Sequence, residues 1–584
     1  MLDEKRHWLD ERRICTVHIE ESPYDCDPYV RRAVCHEKLG YPDLAAGDAY
    51  RALLLTDELL DESGEWHELA VEAIESSARK EDGVLVNGAT NGLNRNGAMT
   101  GDGHSGGTRN EEGSKGVNGK EKEDLWYNVI AEDYARRSYE ILARTLSDCG
   151  DLKAAYDFTE RSLKVFPGHH ILKGLQEQIM DKHRQSQLQK DPTWDKSEFN
   201  PRTELPENGS AKREIYPWNK HEIDRFSEDS MSFLNAEIMK AAPKCKVRAV
   251  ELPVLNTQAL YQENQKPATI TQLGVFATTE ISPNETVLVE PSVLTSSTRL
   301  FDPLCDACSS ALPVVDRDHP LPCCPDCDDI VFCSEPCLTR AQDLYHPAVC
   351  GLLDFDIVAN DPSPFAASNA LYTLLIARTL AMAETQDIHP LDLPQVKYLW
   401  GDFTPPGSPA VRTLPFSFEN NIAQPLHLLS KLDRDPFAPE IFGRYDTWVI
   451  NTLLAKFRGV ANAKMNERTG MPEVAGVHWL WSLSNHSCAP NMRWAWEKGG
   501  MGLVARGPDD AVRWGEDMDA EGMWKGGIKK GDEVLTHYCD VELGVRQRRE
   551  WAVGPLGGLC VCERCVWEER EERRKEGEDG KGDA

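Results

Sequence analysis

At 584 residues with 40% apolar content, the chain exceeds what one hydrophobic core usually organises, so two or more domains are expected. Its 65 Lys plus Arg stand against 96 Asp plus Glu, and the resulting net charge of -31 opposes general binding to a phosphate backbone. The same field favours basic partners, lysine-rich protein segments among them.

The opening MLDEKRHWLDERR has no apolar stretch of a secretory signal. The run LYTLLIARTLAMA at 371–383 is broken by Arg378 and is too short to span a bilayer, so no membrane association is expected. The reading therefore places the chain in the nucleus and cytoplasm, where 18 cysteines are expected as metal ligands or free thiols rather than disulfides.

Residues 1–188 read as a helical module. Tyr29, Ala33, Gly40, Ala45, Ala52 and Leu53 recur at the same offsets as Tyr139, Ala143, Gly150, Ala155, Ser162 and Leu163, with Pro167 closing the second copy. Small and apolar positions so spaced are those of a 34-residue helix–turn–helix repeat, similar to the tetratricopeptide repeat. Helices near 65–80 and 171–188 are expected to complete the stack. Between the copies, 83–122 holds eleven Gly and six Asn with no aromatic residue, so it reads as a disordered insert. A polar linker, containing PTWDKSEFNPRTELPENGS, covers 189–242.

From 243 to 300 the pattern turns to short β-rich runs, CKVRAVELPVL, ATITQLGVFATTEI and ETVLVEPSVL, separated by turn formers such as Pro283-Asn284. A cysteine-dense stretch fills 301–351, a helical region 352–462, and strands return within 463–552 through MGLVARG and DEVLTHY. An antiparallel sheet interrupted by two insertions is the simplest account. The segment 553–568 carries three more cysteines, and 569–584 is charged without an apolar face and reads as a disordered tail.

The stretch 305–350 contains Cys305-x2-Cys308, Cys324-x2-Cys327, Cys333-x3-Cys337 and His346-x3-Cys350. Four such pairs are what two tetrahedral zinc ions need. Interleaving puts Cys305, Cys308, Cys333 and Cys337 on one ion and Cys324, Cys327, His346 and Cys350 on the other, with Cys323 able to replace Cys324. Near the C-terminus Cys560, Cys562 and Cys565 are one ligand short of a closed site. Cys488, in SLSNHSCAPNMRWAW, is the candidate fourth. Three structural zinc ions per chain are therefore expected.

On these residues the chain resembles the SET and MYND domain-containing protein lysine methyltransferases, in the form with N-terminal tetratricopeptide-like repeats. The eight-ligand array is similar to the MYND zinc finger. NHSCAPN (485–491) resembles the SET signature, GDEVLTHYCD (531–540) the strand and tyrosine that close its pocket, CVCERC the post-SET zinc segment, and QLGVFATTEI the first cofactor-contacting strand. These features span about 250–567 in the family's order.

The resemblance implies an α+β multidomain chain: a SET β-fold with a pseudoknot, split between 243–300 and 463–552, and interrupted by a MYND finger at 301–351 and a helical insertion at 352–462. It implies S-adenosyl-L-methionine-dependent methylation of lysine in a histone or other protein, with the zinc-finger and repeat modules recruiting protein partners; the acidic balance and the lack of a basic cluster in 301–351 disfavour direct nucleic-acid binding. Asn485 and His486 would contact the cofactor, the backbone near Gly274 would lie beside its amino acid end, and Tyr538 would direct its phenol at the reacting groups. Trp479, Trp481, Trp494 and Trp496 stand close enough to line a lysine channel. The chain departs from the family at Gln272, where a glycine is usual; at Gly558, where an aromatic residue commonly stacks on adenine; and in an insertion at 507–527. Asn462 is the candidate for the Asn that often reaches the cofactor from the preceding helix. These departures leave a catalytically weak scaffold or transcriptional adaptor as the alternative.

Overall fold

The computed structural model describes residues 2–87, 119–195, 197, 199–255, 269–299, 303–314, 320–327, 330–352, 362–405, 408, 411–497, 499–515 and 526–579. It is an α+β molecule with a helical N-terminal region and several small antiparallel sheets, and it divides into two units.

The first unit comprises Met1–Ala211 with Pro415–Phe418 and Pro436–Gly443. Its helices are Leu2–Glu21, Cys26–Leu39, Pro42–Leu60, His67–Asn87, Gly119–Cys149, Leu152–Val165 and His170–Lys190. Both stretches that share a sequence template are helix–turn–helix hairpins. Gly40 and Gly150 occupy the equivalent turn with φ of 80° and 93°, a left-handed conformation that costs glycine little. Tyr29, Ala33, Ala45, Ala52, Tyr139, Ala143, Ala155 and Ser162 are all buried, which is where small side chains let paired helices approach. Phe418 stands edge-on to Tyr50 and Phe158, with ring centres 4.8 and 4.9 Å away. Its segment, Pro415–Phe418, lies within the expected insertion 352–462 but belongs to this unit.

The second unit comprises Lys212–Leu414, Glu419–Asp435 and Arg444–Ala584. Strands Cys245–Pro253 and Thr269–Ala277 form one antiparallel pair. A second sheet orders Thr286–Pro291, Gly500–Ala505 and Met492–Glu497. A third orders Leu294–Ser297, Pro472–Val477 and Asn462–Met465. Alternation explains the first pair: Cys245 and Val247 are buried while Lys246 is exposed. Val247, Leu273, Val275, Leu288, Leu483, Met492, Leu503 and Val534 then share one apolar core. Strands expected as one interrupted sheet are thus several short ones around that core.

Four expectations need adjusting. Residues 189–242, read as linker, include the helix Glu228–Ala241, capped by Ser227 and burying Leu234 and Ile238 in the core just described. Those apolar positions sit one turn apart, a period that the polar residues around them obscure. The helices flanking the glycine-rich insert reach Asn87 and restart at Gly119, so the ends of 83–122 are helical, extension of a packed helix being cheap. The rest of that insert, 88–118, lies outside the described residues.

The tail expected to be disordered from 569 is helical as far as Asp579. Glu569 holds both Arg549, at 3.0 Å, and Arg573 one turn on, at 2.7 Å; residues 580–584 lie outside the described ones. Finally, the apolar run at 371–383 belongs to a 23-residue helix, Pro364–Gln386, long and apolar enough by composition to cross a membrane. Leu371, Leu375, Ile376, Leu380 and Met382 are buried within the unit, as in the core helix of a folded domain.

Candidate active site and metal centres

The twelve predicted ligands form three clusters. Cys305, Cys308, Cys333 and Cys337 make one, Cys324, Cys327, His346 and Cys350 the second, and Cys488, Cys560, Cys562 and Cys565 the third; within each, all ligand atoms lie within 4.8 Å of one another. Cys323 is exposed and belongs to none, so the sequence ambiguity falls to Cys324. Tetrahedral ligation at about 2.3 Å per sulfur requires sulfur–sulfur edges of about 3.8 Å. Cys308–Cys333 at 3.7 Å, Cys333–Cys337 at 3.6 Å, Cys324–Cys350 at 3.8 Å and Cys488–Cys560 at 3.8 Å match that edge. A disulfide would bring sulfurs to about 2.05 Å. Each cluster could therefore hold a zinc ion.

Side chains around the third cluster suit gathered thiolates. Arg548, fully buried, directs Nη2 at Cys565 Sγ from 3.6 Å, and Arg564 donates to the Cys488 and Val541 carbonyls at 2.8 and 2.9 Å. Cys539 also comes within ligand range of Cys488 and His486. The sequence reading missed Cys539 because it stands in no C-x2-C pair. His221, His389 and Asp392 form a further group, but the two rings are parallel, 3.7 Å apart at 6°, so their lone pairs do not converge, and Asp392 also pairs with Lys397 at 3.3 Å.

The segment after Ser484 runs alongside 533–538. Thr536 N–H donates to the Asn485 carbonyl (3.0 Å), Ser487 N–H to the Thr536 carbonyl (2.8 Å), and His486 and Thr536 form a parallel bridge. Asn491 fastens the crossing twice, donating to the Glu533 carbonyl (2.8 Å) and accepting from Leu535 N–H (2.9 Å). Two stretches about fifty residues apart are thereby locked side by side.

This crossing borders a cavity of about 270 Å³ lined by Asn485, His486, Tyr538, Leu273, Gln272, Arg225, Trp400 and Asp402, with Cys560 and Cys562 at its edge. Asn485, His486 and Tyr538, predicted from motif, are thus brought together. Tyr538 Oη donates to the Ser484 carbonyl at 2.8 Å, and burial pushes its pKa well above the usual phenol value, with Glu533 adding to the shift. Its N–H donates to His486 Nδ1 at 3.0 Å. That bond fixes the proton on Nε2, which faces Cys488 Sγ at 3.3 Å, and burial lowers the imidazole pKa to about 4, so the ring is neutral at pH 7. His486 accordingly couples the tyrosine backbone to the third cysteine cluster.

Asn485 Nδ2 donates to the Leu273 carbonyl (3.0 Å) and to Glu533 Oε1 (2.7 Å), tying the strand Thr269–Ala277 to the tyrosine-bearing segment. Gly274 packs at this junction: a Cβ there would lie 2.5 Å from Glu533 Oε1 and 3.0 Å from Asn485 Nδ2. At Gly558 a Cβ would meet the Leu255 carbonyl at 2.3 Å, so the chain itself fills the space that an aromatic side chain would need. Trp400 is among the residues that line the cavity.

The four tryptophans near the motif do not form one group. Trp481 lies 6.0 Å from the Tyr538 ring and 6.3 Å from Trp494, and both indole N–H groups are buried without a hydrogen-bond partner among the described residues. Trp496 instead donates to Ser292 at 2.9 Å, and Trp479 stacks with Phe233 beside a separate cavity of about 640 Å³. Asn462 has its Oδ1 buried and unpaired among the described residues.

Arg225, Trp400, Asp402 and Arg412 escaped the sequence reading, since they come from the presumed linker and insertion and share no spacing. A scan against protein-family models finds no match, and a search of curated proteins finds none either.

Proposed function

We propose that the chain is an S-adenosyl-L-methionine-dependent protein-lysine N-methyltransferase of the SET and MYND type, with the cysteine clusters acting as MYND and post-SET zinc centres. The observation that carries the reading is the convergence of Asn485, His486 and Tyr538 on one cavity, through a crossing of the kind that a SET pseudoknot requires. The donor set fits such a cofactor. The cavity offers an aromatic face in Trp400, cationic and anionic side chains in Arg225 and Asp402, and the unpaired Asn462 oxygen stands on the strand that follows the helix bordering it.

S-adenosylmethionine supplies a methyl group already activated on a sulfonium, so the protein has chiefly to align the partners. Tyr538, its proton committed to the Ser484 carbonyl, presents a neutral phenol oxygen with lone pairs free to orient an incoming amine. Presenting lysine as the neutral amine at pH 7 costs about 4.6 kcal/mol, which the desolvated surroundings of Tyr538 and Trp481 reduce. The acidic chain favours lysine-rich substrates, and the hairpins of the first unit serve as a protein-docking module.

One observation favours the alternative, a scaffold with weak catalysis: the Leu255 carbonyl occupies the space beside Gly558. Calorimetry with S-adenosylmethionine, followed by radiolabelled transfer to histones and a cell extract, separates the two. Tyr538→Phe is expected to lower transfer about 100-fold or more while leaving cofactor affinity within threefold. No cofactor binding at millimolar concentration would rule out the enzyme, and undiminished turnover in the variant would remove the role given to the phenol.

A further inference from the structure

Arg225 stands out among the cavity-lining residues. Its side chain is more than nine-tenths buried, yet Nε and Nη1 have no hydrogen-bond acceptor among the described residues. Its guanidinium lies 5.6 Å from the centre of the Trp400 ring, which accommodates the charge without neutralising it. The carboxylates nearby are already engaged. Glu222 pairs with Lys456 at 2.9 Å, and Asp402 binds Arg412 and stands 3.5 Å from Arg213. Burial draws the Arg225 pKa down to about 10, opposed by Glu222, so the group stays charged at neutral pH.

A buried guanidinium with open donors has paid its desolvation cost without the compensating pair, an arrangement that persists where an anion arrives with a ligand. A carboxylate matches its fork geometry, accepting two parallel N–H bonds. We propose that Arg225 is the anion receptor of this cavity and, resting on the methyltransferase reading, that it binds the carboxylate of S-adenosylmethionine, the donor's one formally negative group. Arg225 thereby sets a preference for the carboxylated donor over neutral nucleosides of the same shape, and does so from a segment outside every motif of the sequence.

Two readouts on the full chain test this, using Arg225→Met and Arg225→Lys. Without ligand, Arg225→Met should unfold at the same temperature as the parent or higher, because it removes an uncompensated buried charge. A midpoint several degrees lower would show that the guanidinium is structural and overturn the proposal. In calorimetry the parent should bind S-adenosylmethionine at least 30-fold more tightly than its decarboxylated analogue. That preference should fall below threefold in Arg225→Met and recover in part in Arg225→Lys; its survival in Arg225→Met would also overturn the proposal.

If the parent binds neither compound, the methyltransferase reading fails and acetate decides the role of Arg225. An acetate-dependent rise in unfolding temperature, present in the parent and absent in Arg225→Met, supports an anion receptor, whereas equal responses refute it.

Discussion

The two units differ in how completely they pair their buried charge. In the first, Arg32 and Asp48 are both essentially inaccessible and pair through two hydrogen bonds, one of 2.9 Å from Nε, with His36 Nδ1 at 2.9 Å from the same carboxylate and Arg12 donating to His36 Nε2 at 3.1 Å. Although burial opposes ionisation, Arg32 and His36 hold the Asp48 pKa well below the usual carboxylate value. The second unit also has closed pairs, such as Lys456 with Glu222 at 2.9 Å, but beside them stand three ligand clusters that could each hold a zinc ion, and Arg225, whose Nε and Nη1 have no acceptor among the described residues. Charge closed on itself marks a scaffold, and charge left open marks the places where the molecule expects something from outside.

Metal removal is the strongest way to break this contrast. Each structural zinc contributes roughly 10 kcal/mol or more of apparent binding energy, which is folding energy for segments with little core. Chelation should abolish hydrogen-exchange protection in 305–350 and 560–565 while leaving the helices of the first unit protected. Elemental analysis should find three zinc ions per chain, falling towards two in Cys488→Ser. No zinc at all, or uniform loss of protection across both units, would erase the distinction.

The next effect lies in the closed network. Asp48→Asn keeps the shape but strands Arg32 in the interior, and should cost about 3 to 5 kcal/mol in urea unfolding of the first unit. Set beside the expected neutrality of Arg225→Met, this makes the comparison quantitative: two buried arginines, one paired within the chain and one whose Nε and Nη1 lack an acceptor among the described residues. A loss under about 1 kcal/mol would show that the Arg32 network is closed in geometry only.

Legibility in the sequence followed the range of the interactions. The clustered cysteines and His346 were readable because most stand in closely spaced pairs of the kind that grip a metal, and Cys488 because three thiolates lacked a fourth. Paired offsets at Gly40 and Gly150 exposed both hairpins of the first unit. Tyr538 and Asn485 could be matched to a motif, but that Asn485 spends its amide on Leu273 and Glu533 could not be anticipated, since those bonds span 212 and 48 residues. The helix 228–241 hid among polar neighbours, and Arg225 and Trp400, 175 positions apart, acquire meaning only once folded against the same space. Long-range juxtaposition of chemically ordinary residues leaves no local spacing to read.

The smallest effect concerns Glu290, a third kind of buried charge, which escapes ionisation instead of finding a partner. Its two oxygens accept from Trp481 N–H at 2.8 Å and Leu480 N–H at 3.3 Å, yet burial outweighs those bonds and lifts its pKa to about 8. A carboxyl whose pKa is higher folded than unfolded binds its proton more tightly in the native state. Its stabilising contribution is therefore complete below about pH 4.5, the unfolded value, and is lost as pH rises through about 8. The slope between those limits is at most about 1.4 kcal/mol per pH unit, reduced by relaxation of the site. Glu290→Gln stays neutral throughout but sacrifices one N–H acceptor, about 1 kcal/mol. Urea unfolding should thus find the variant less stable than the parent at pH 4, with the gap closing at about pH 5 to 6 and reversed by pH 7 to 9. A gap that stays constant across that range would mean that Glu290 is ionised in the folded protein, with a charge partner of its own.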